Sequence, residues 1–319
     1  MILYFFIILI LFFLFYKKEG FNLRSKNYDS FFEENNIIND KTNTTLTYQD
    51  KTVKYGKMNL NIINSKSTMK KIFIENGIPS ANYYLWKPEL SSNDNLNNIL
   101  FLSRPLVIKP DKGEKGILVT TNVIEDNAIV KKVNELLKLK QNVLIEEQIQ
   151  GLKEYRITIL NDTIIGATEK KAAFIIGDNN HTIDELIIIY NKPLNHKMHT
   201  VDYDYMKQQG YEKHDILPYG IRLTLTNVAN MSNGSQINEI DLNTIHPINV
   251  LLFKNLNHIL DYTVSGIDYL GDLSIPYLLM GYVIEVNSRP SVDIHYSVVK
   301  DKKIFLKSIV NNLFGIKII

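Results

Sequence analysis

Near the C-terminal end, the stretch Tyr282-Val-Ile-Glu-Val-Asn-Ser-Arg-Pro290 sets a carboxylate two residues from an amide. Val283, Ile284 and Val286 are β-branched, so the run reads as a strand, and strand alternation puts Glu285 and Asn287 on one face. Two hard oxygen donors spaced i, i+2 on a rigid element suit Mg²⁺, which takes oxygen ligands at about 2.0 to 2.1 Å and is commonly shared with phosphates. A third donor, Asp268, lies in the apolar run Val264-Ser-Gly-Ile-Asp-Tyr-Leu270, and Pro276 and Gly281 between the two runs mark a reversal. Antiparallel pairing predicts Asp268 opposite Glu285 and Asn287. A surface hairpin with ordinary polar residues on its wet face is the other reading of the same stretch.

A second group of residues suits phosphate chemistry. Leu106-Val-Ile-Lys-Pro110 reads as a buried strand that delivers Lys109 at its end, followed by a loop with Gly113 and Gly116 and a further strand, Ile117 to Thr121. Strand, glycine loop and strand is the layout of a flap whose backbone N–H groups close over phosphates. Two glycines three apart also make any hairpin, and Lys109 adds weight because an ammonium meets phosphate oxygens as a point charge.

These groups need a sizeable scaffold, and 319 residues with 45% hydrophobic content provide one large or two to three small domains. Helices are expected over Ser65 to Asn76, which stops at Gly77, over Asn127 to Leu137, Pro247 to Tyr262 and Lys302 to Phe314. Val143 to Glu147 reads as a strand, and Tyr155 to Leu160 with Thr163 to Thr168 as a hairpin turning at Asn161-Asp162. Thr182 and Glu185 have capping-box spacing, which makes His181 structural rather than a ligand. Met198 to His214 reads as a polar connection. The net charge of +2 has no basic block, so nucleic acid is not an expected partner. The absence of cysteine excludes disulfides and thiolate metal sites.

The N-terminus has a different character. Met1 to Tyr16 is Ile, Leu, Phe and Tyr throughout after the initiator and ends at Lys17-Lys18. At about 1.5 Å per residue it extends roughly 24 Å, short of a ~30 Å hydrocarbon core but close enough to span it with snorkelling lysines. A cleaved signal peptide would carry a charged n-region and a small-x-small site, and neither is present, so the expectation is an uncleaved anchor. Lys17, Lys18, Arg24 and Lys26 follow it and predict a single-pass membrane protein whose remainder faces the cytosol. Residues 17–44 read as a polar tether.

The order Lys66, Lys109 with its glycine loop, Glu146, Arg156, Asp268 and Glu285-x-Asn287 resembles the ATP-grasp superfamily. The likeness is strongest to the ATP-grasp portion of cyanophycin synthetases and of bifunctional glutamate-cysteine ligase/glutathione synthetases. It is carried by Val107-Ile-Lys-Pro, Glu146-Glu-Gln-Ile-Gln-Gly, Glu154-Tyr-Arg, Ile176-Gly-Asp-x-x-His-Thr-Ile-Asp-Glu-Leu, Ser265-Gly-Ile-Asp and Ile284-Glu-Val-Asn-x-x-Pro, from Asn61 to about Tyr296. The resemblance implies an α+β ATP-grasp fold over residues 45–300, with the glycine loop in a lobe of about residues 100–150 and a C-terminal helix in 301–319. It implies that ATP and Mg²⁺, or Mn²⁺, are bound. Lys66 and Lys109 would neutralise phosphates under the Gly113 and Gly116 loop. Glu146 and the backbone of Ile149 would meet adenine, and Glu154 the ribose. Asp268, Glu285 and Asn287 would ligate the metal, Arg156 would steady the transferred phosphoryl group, and Asn230 and Ser232 would face the substrate.

The implied activity is ligation of an amino acid or peptide carboxylate to an amine through an acyl phosphate. Departures from the family fall on the acceptor side. Thr226-Asn227 stands where a basic residue is usual, leaving Arg222 as the nearest cation, Asn233-Gly234 replaces paired glycines, and Lys170 stands where arginine is common. The alternative is therefore a nucleotide-binding pseudoenzyme that serves as a membrane-attached interaction module.

Overall fold

The computed structural model describes residues 21, 23–56, 58–59, 63–113, 116–191, 201–226, 235–315 and 317. The expected anchor, Met1 to Tyr16, lies outside them. The first described segments are helix α1 (Asp29–Glu34) and an antiparallel three-stranded sheet, β1 (Ile37–Asp40), β2 (Thr45–Tyr48) and β3 (Lys51–Lys54). The chain here is packed rather than a tether. Phe21, Leu23, Tyr28, Phe31, Phe32 and Ile37 are buried in one cluster with Ile309, Val310 and Phe314 from the far end of the chain. Their spacing follows no single period, which hides them among the asparagines and acids of the segment.

Ser65 caps α2 (Lys66–Glu75), accepting from Thr68 N at 3.1 Å. A four-stranded antiparallel sheet follows, ordered β4-β7-β5-β6, from β4 (Tyr83–Leu85), β5 (Leu106–Pro110), β6 (Thr120–Val123) and β7 (Val143–Glu147). Its dry face packs Ile108 and Ile145 against Ile129, Val133 and Leu136 of α3 (Asp126–Lys138). The register Val107 with Glu146 and Lys109 with Leu144 then places Lys109 and Glu146 together on the opposite face.

The larger sheet is five-stranded and antiparallel, ordered β12-β9-β8-β13-β14, from β8 (Lys153–Leu160), β9 (Thr163–Lys171), β12 (Gln236–Glu239), β13 (Val264–Gly271) and β14 (Gly281–Asn287). Ile157, Ala167, Ile267, Val283 and Val286 share a core with Phe253, Leu256 and Leu260 of α6 (Pro247–Leu260) and with Met69 and Phe73 of α2. The register slips beside Asp268 and Tyr269, so that Val283 and Val286 both face the core although three residues apart. Between β9 and β12, the strands β10 (Phe174–Ile176) and β11 (Arg222–Thr224) pair and form a satellite core with α4 (Ile183–Asn191) and α5 (Tyr203–Gln208). Helix α5 lies inside the expected polar connection. Met206 is its one fully buried apolar anchor, too little for a helical period to show. The chain closes with α7 (Asp293–Tyr296) and α8 (Lys302–Phe314).

Among the described residues no helix is long and apolar enough to cross a membrane. The 14 residues of α6 reach about 21 Å, and their apolar side is spent on the core. For the described residues this corrects the expectation of a membrane-spanning, cytosol-facing protein, and the expected anchor lies outside them.

Candidate functional site

Alternation in the large sheet carries its polar residues to the face opposite the α6 core. Cross-strand pairs Asp268 with Glu285, Asp268 with Arg156, Arg156 with Thr168 and Glu154 with Lys170 line up there. Asp268 pairs directly with Glu285 as the strand reading predicts, and Asn287 is opposite Gly266, two pairs further on. Arg156 grips Asp268 bidentately, with Nε and an Nη each donating at 2.8 Å, and Lys170 Nζ donates to the same carboxylate at 2.9 Å. Lys170 also forms an ion pair with Glu154.

Electrostatics follow from this packing. Burial would raise the Asp268 carboxyl, but Arg156 and Lys170 outweigh it and hold the group well below the usual carboxylate range. Burial opposes the charge on Lys170, yet Asp268 and Glu154 raise its affinity for a proton. Glu154 is pushed upward, mainly by burial and then by the neighbouring Asp268 charge, against the pull of Lys170.

The donor set at this face fits a divalent cation. The Asn287 amide nitrogen lies 3.1 Å from Glu285 Oε1 and 3.3 Å from Asp268 Oδ2, so two carboxylates and an amide converge on one point. Turned over, the amide presents its oxygen in the same place. Among the described residues no group of three or more His, Asp or Glu side chains is placed to hold a metal.

The small sheet and α2 supply the cationic half. Lys66 N and Ser67 N donate to Asp111, at its carbonyl (2.9 Å) and Oδ1 (2.7 Å), and Lys66 Nζ donates to the Gly113 carbonyl at 2.6 Å. Gly113 and Gly116 both have positive φ, so the turn they make suits glycine. Burial lowers the Lys66 pKa, and the carboxylate of Glu285 is the leading influence against that fall. Lys66 thus stands between the glycine loop and the carboxylate cluster.

Glu146, expected to accept from adenine, is buried in a charge triad. Lys109 donates to its Oε1, and Lys70 Nζ forms an ion pair with Oε2 at 2.9 Å. The two lysines pull the Glu146 carboxyl down despite its complete burial. Lys70 is the residue that sequence reasoning missed. A lysine beside Met69 at the edge of the apolar face of α2 is the one signal it leaves.

The remaining expected residues are placed as follows. Ile149 is half-buried in the connection after β7. Arg222 lies in β11, its guanidinium 3.8 Å from the centroid of Phe174, in the satellite unit and not in the carboxylate cluster. Asn230 and Ser232 lie outside the described residues.

His295 of α7 is a further buried group on this face. Its Nε2 is 2.7 Å from Thr158 Oγ1, and its ring covers Gly166, where a Cβ would come within 2.6 Å of it. Burial, then the nearby Arg156 charge, push its pKa down to about 3. Unfolded histidine takes its proton near pH 6.5, so the folded state binds fewer protons between about 6.5 and 3. Stability is therefore full above that window and is lost as pH falls through it, by up to ~1.4 kcal/mol per pH unit. Urea titrations at pH 4 to 7 should show this slope in wild type and a shallower one in His295→Gln. Equal slopes would assign the acid sensitivity to other groups.

With this geometry described, comparison with known proteins is informative. No family model matches the chain. Cyanophycin synthetase of Synechocystis sp. is 29% identical over 206 residues, covering 60% of this chain and 23% of that protein. The glutathione biosynthesis bifunctional protein of Streptococcus agalactiae is 27% identical over 213 residues, covering 60% of this chain and 28% of that protein. The crystal structure of a bifunctional glutathione synthetase from Pasteurella multocida superposes with a TM-score of 0.53 at 20% identity, over 87% of this chain and 41% of that one. Over the matched stretches the chain is similar to cyanophycin synthetase and to the glutathione biosynthesis bifunctional protein, which supports the resemblance to the ATP-grasp superfamily. Its α+β architecture is the ATP-grasp fold, although it spans only about a quarter of the length of the curated relatives it matches.

Proposed function

We propose that this ATP-grasp protein is an ATP-dependent carboxylate–amine ligase that acts on an amino acid or peptide carboxylate. The observation that carries the reading is the facing of two half-sites, Lys66 and Lys109 beside the glycine loop and Asp268, Glu285 and Asn287 beside Arg156, with Lys66 between them. The names of the relatives, cyanophycin synthetase and glutathione synthetase, support it.

Lys66 and Lys109 hold the nucleotide phosphates, and the Gly113 to Gly116 loop closes over them and excludes water. The Ile149 backbone meets the adenine and Glu154 the ribose. An oxygen of the substrate carboxylate attacks the γ-phosphorus and ADP leaves, while Arg156 and Lys170 stabilise the charge on the transferred group. The amine nitrogen then attacks the acyl carbon, and inorganic phosphate departs as the amide forms. Asp268, Glu285 and Asn287 would hold Mg²⁺, or Mn²⁺, which would supply neutralisation of the phosphate charge. The assignment of Asn230 and Ser232 to the acceptor substrate rests on the family likeness alone.

An acyl phosphate is trapped by hydroxylamine even when the natural amine is unknown. The full chain with ATP, Mg²⁺ and a panel of amino acids and short peptides is expected to yield hydroxamate with at least one carboxylate. Binding of Mg-ATP with no hydroxamate across the panel would replace the ligase by a protein that binds nucleotide without turning it over.

A further inference from the structure

We infer that Lys70 is a positioning residue for nucleotide binding: a fixed counter-ion that keeps Glu146 compensated, so that Lys109 is free to turn to the nucleotide phosphates. This rests on the proposed nucleotide reading. Lys70 rises from the middle of α2, fully buried, with its Nζ 2.9 Å from Glu146 Oε2 and donating to the Ala81 carbonyl at 3.2 Å. Its neighbour Met69 accepts from Val286 N of β14 at 3.2 Å, so this part of α2 is clamped between the two sheets. Lys70 therefore has no freedom to follow a ligand. Lys109 sits near the end of β5 where the glycine loop begins, bonded to the other Glu146 oxygen.

A buried carboxylate left without a partner is far costlier than one that keeps one of two. If Lys109 were the sole partner of Glu146, its transfer to a phosphate would strand that carboxylate, and the phosphate would have to outbid it. With Lys70 fixed on the second oxygen, Glu146 stays paired while Lys109 moves. The triad of two ammonium groups and one carboxylate has a net charge of +1, which is the charge Lys109 then presents to the phosphates.

The readout is the ratio of ATP to adenosine affinity, measured by titration calorimetry on the full chain with Mg²⁺ present. Adenosine shares the base and sugar and lacks the phosphates. Lys70→Met should weaken ATP roughly ten-fold to a hundred-fold, the scale of one hydrogen bond to a charged group, and leave adenosine within about two-fold. Lys70→Arg should recover most of the ratio. Glu146→Gln added to Lys70→Met should recover it too, because a neutral amide no longer holds Lys109. That double variant also keeps the test open if Lys70→Met alone fails to fold. Equal loss for ATP and adenosine, or a Lys70→Met protein with wild-type affinity for both, would make Lys70 a folding residue only. Wild type that binds no ATP would instead overturn the nucleotide reading, and the role of Lys70 with it.

Discussion

Glu285→Gln and Asp268→Asn should each reduce hydroxamate formation by roughly a thousand-fold or more, several kcal/mol of transition-state stabilisation at about 1.36 kcal/mol per factor of ten. Each change keeps the size of the side chain and removes one charge from the converging donor set. The two variants should differ in stability. Asp268 is the shared partner of Arg156 and Lys170 inside the sheet face, so neutralising it leaves two buried cations with only Glu154 and Glu285 nearby. Among the described residues Glu285 makes no comparable ion pair and receives a bond from the Asn287 amide. A thermal unfolding midpoint near wild type is thus expected for Glu285→Gln and a clearly lower one for Asp268→Asn. If both variants keep the wild-type rate, the two carboxylates are not metal ligands.

Glu146→Ala should cost about 3 to 5 kcal/mol of stability, the usual penalty for breaking a buried ion pair by removing one partner. Lys70 and Lys109, both nearly excluded from solvent, would be left facing one another with the weaker influence of Glu285 in place of a direct ion pair. Denaturant melts of the full chain measure this. A second change, Lys70→Met, in the Glu146→Ala background should restore part of the loss, because it removes one of the two stranded charges. Wild-type stability in Glu146→Ala would mean that water reaches the triad and that the carboxylate is available to a ligand.

The site reads well from sequence wherever its residues lie on regular elements. Strand alternation is a local property, so Glu285 and Asn287 share a face by their spacing, and two apolar runs around a Pro and Gly reversal bring Asp268 opposite Glu285. The helices capped by Ser65 and by Thr182 with Glu185 announce themselves because caps satisfy backbone groups within three or four residues, and Pro247 marks the first turn of α6. What failed was decided at long range. The N-terminal segment reads as a tether because its aromatic residues find no partners nearby. Their partners are on α8, and Tyr28 donates to Asp293, 265 residues away.

Charge partners are the other part that spacing does not reveal. Sequence shows that Glu146, Arg156 and Lys170 are ionisable and fall on strands, and the family likeness suggests their contacts in a ligand complex. Only the tertiary structure pairs Glu146 with Lys109 and Lys70, and Asp268 with Arg156 and Lys170. The physical reason is desolvation. Burying a charge is tolerated only where an opposite charge is brought to it, and which one arrives depends on how the two sheets close on α2. By itself the sequence determined the strands around the site, their faces and the family resemblance. The packing of distant elements decided which charges are spent on the fold and which stay available for chemistry.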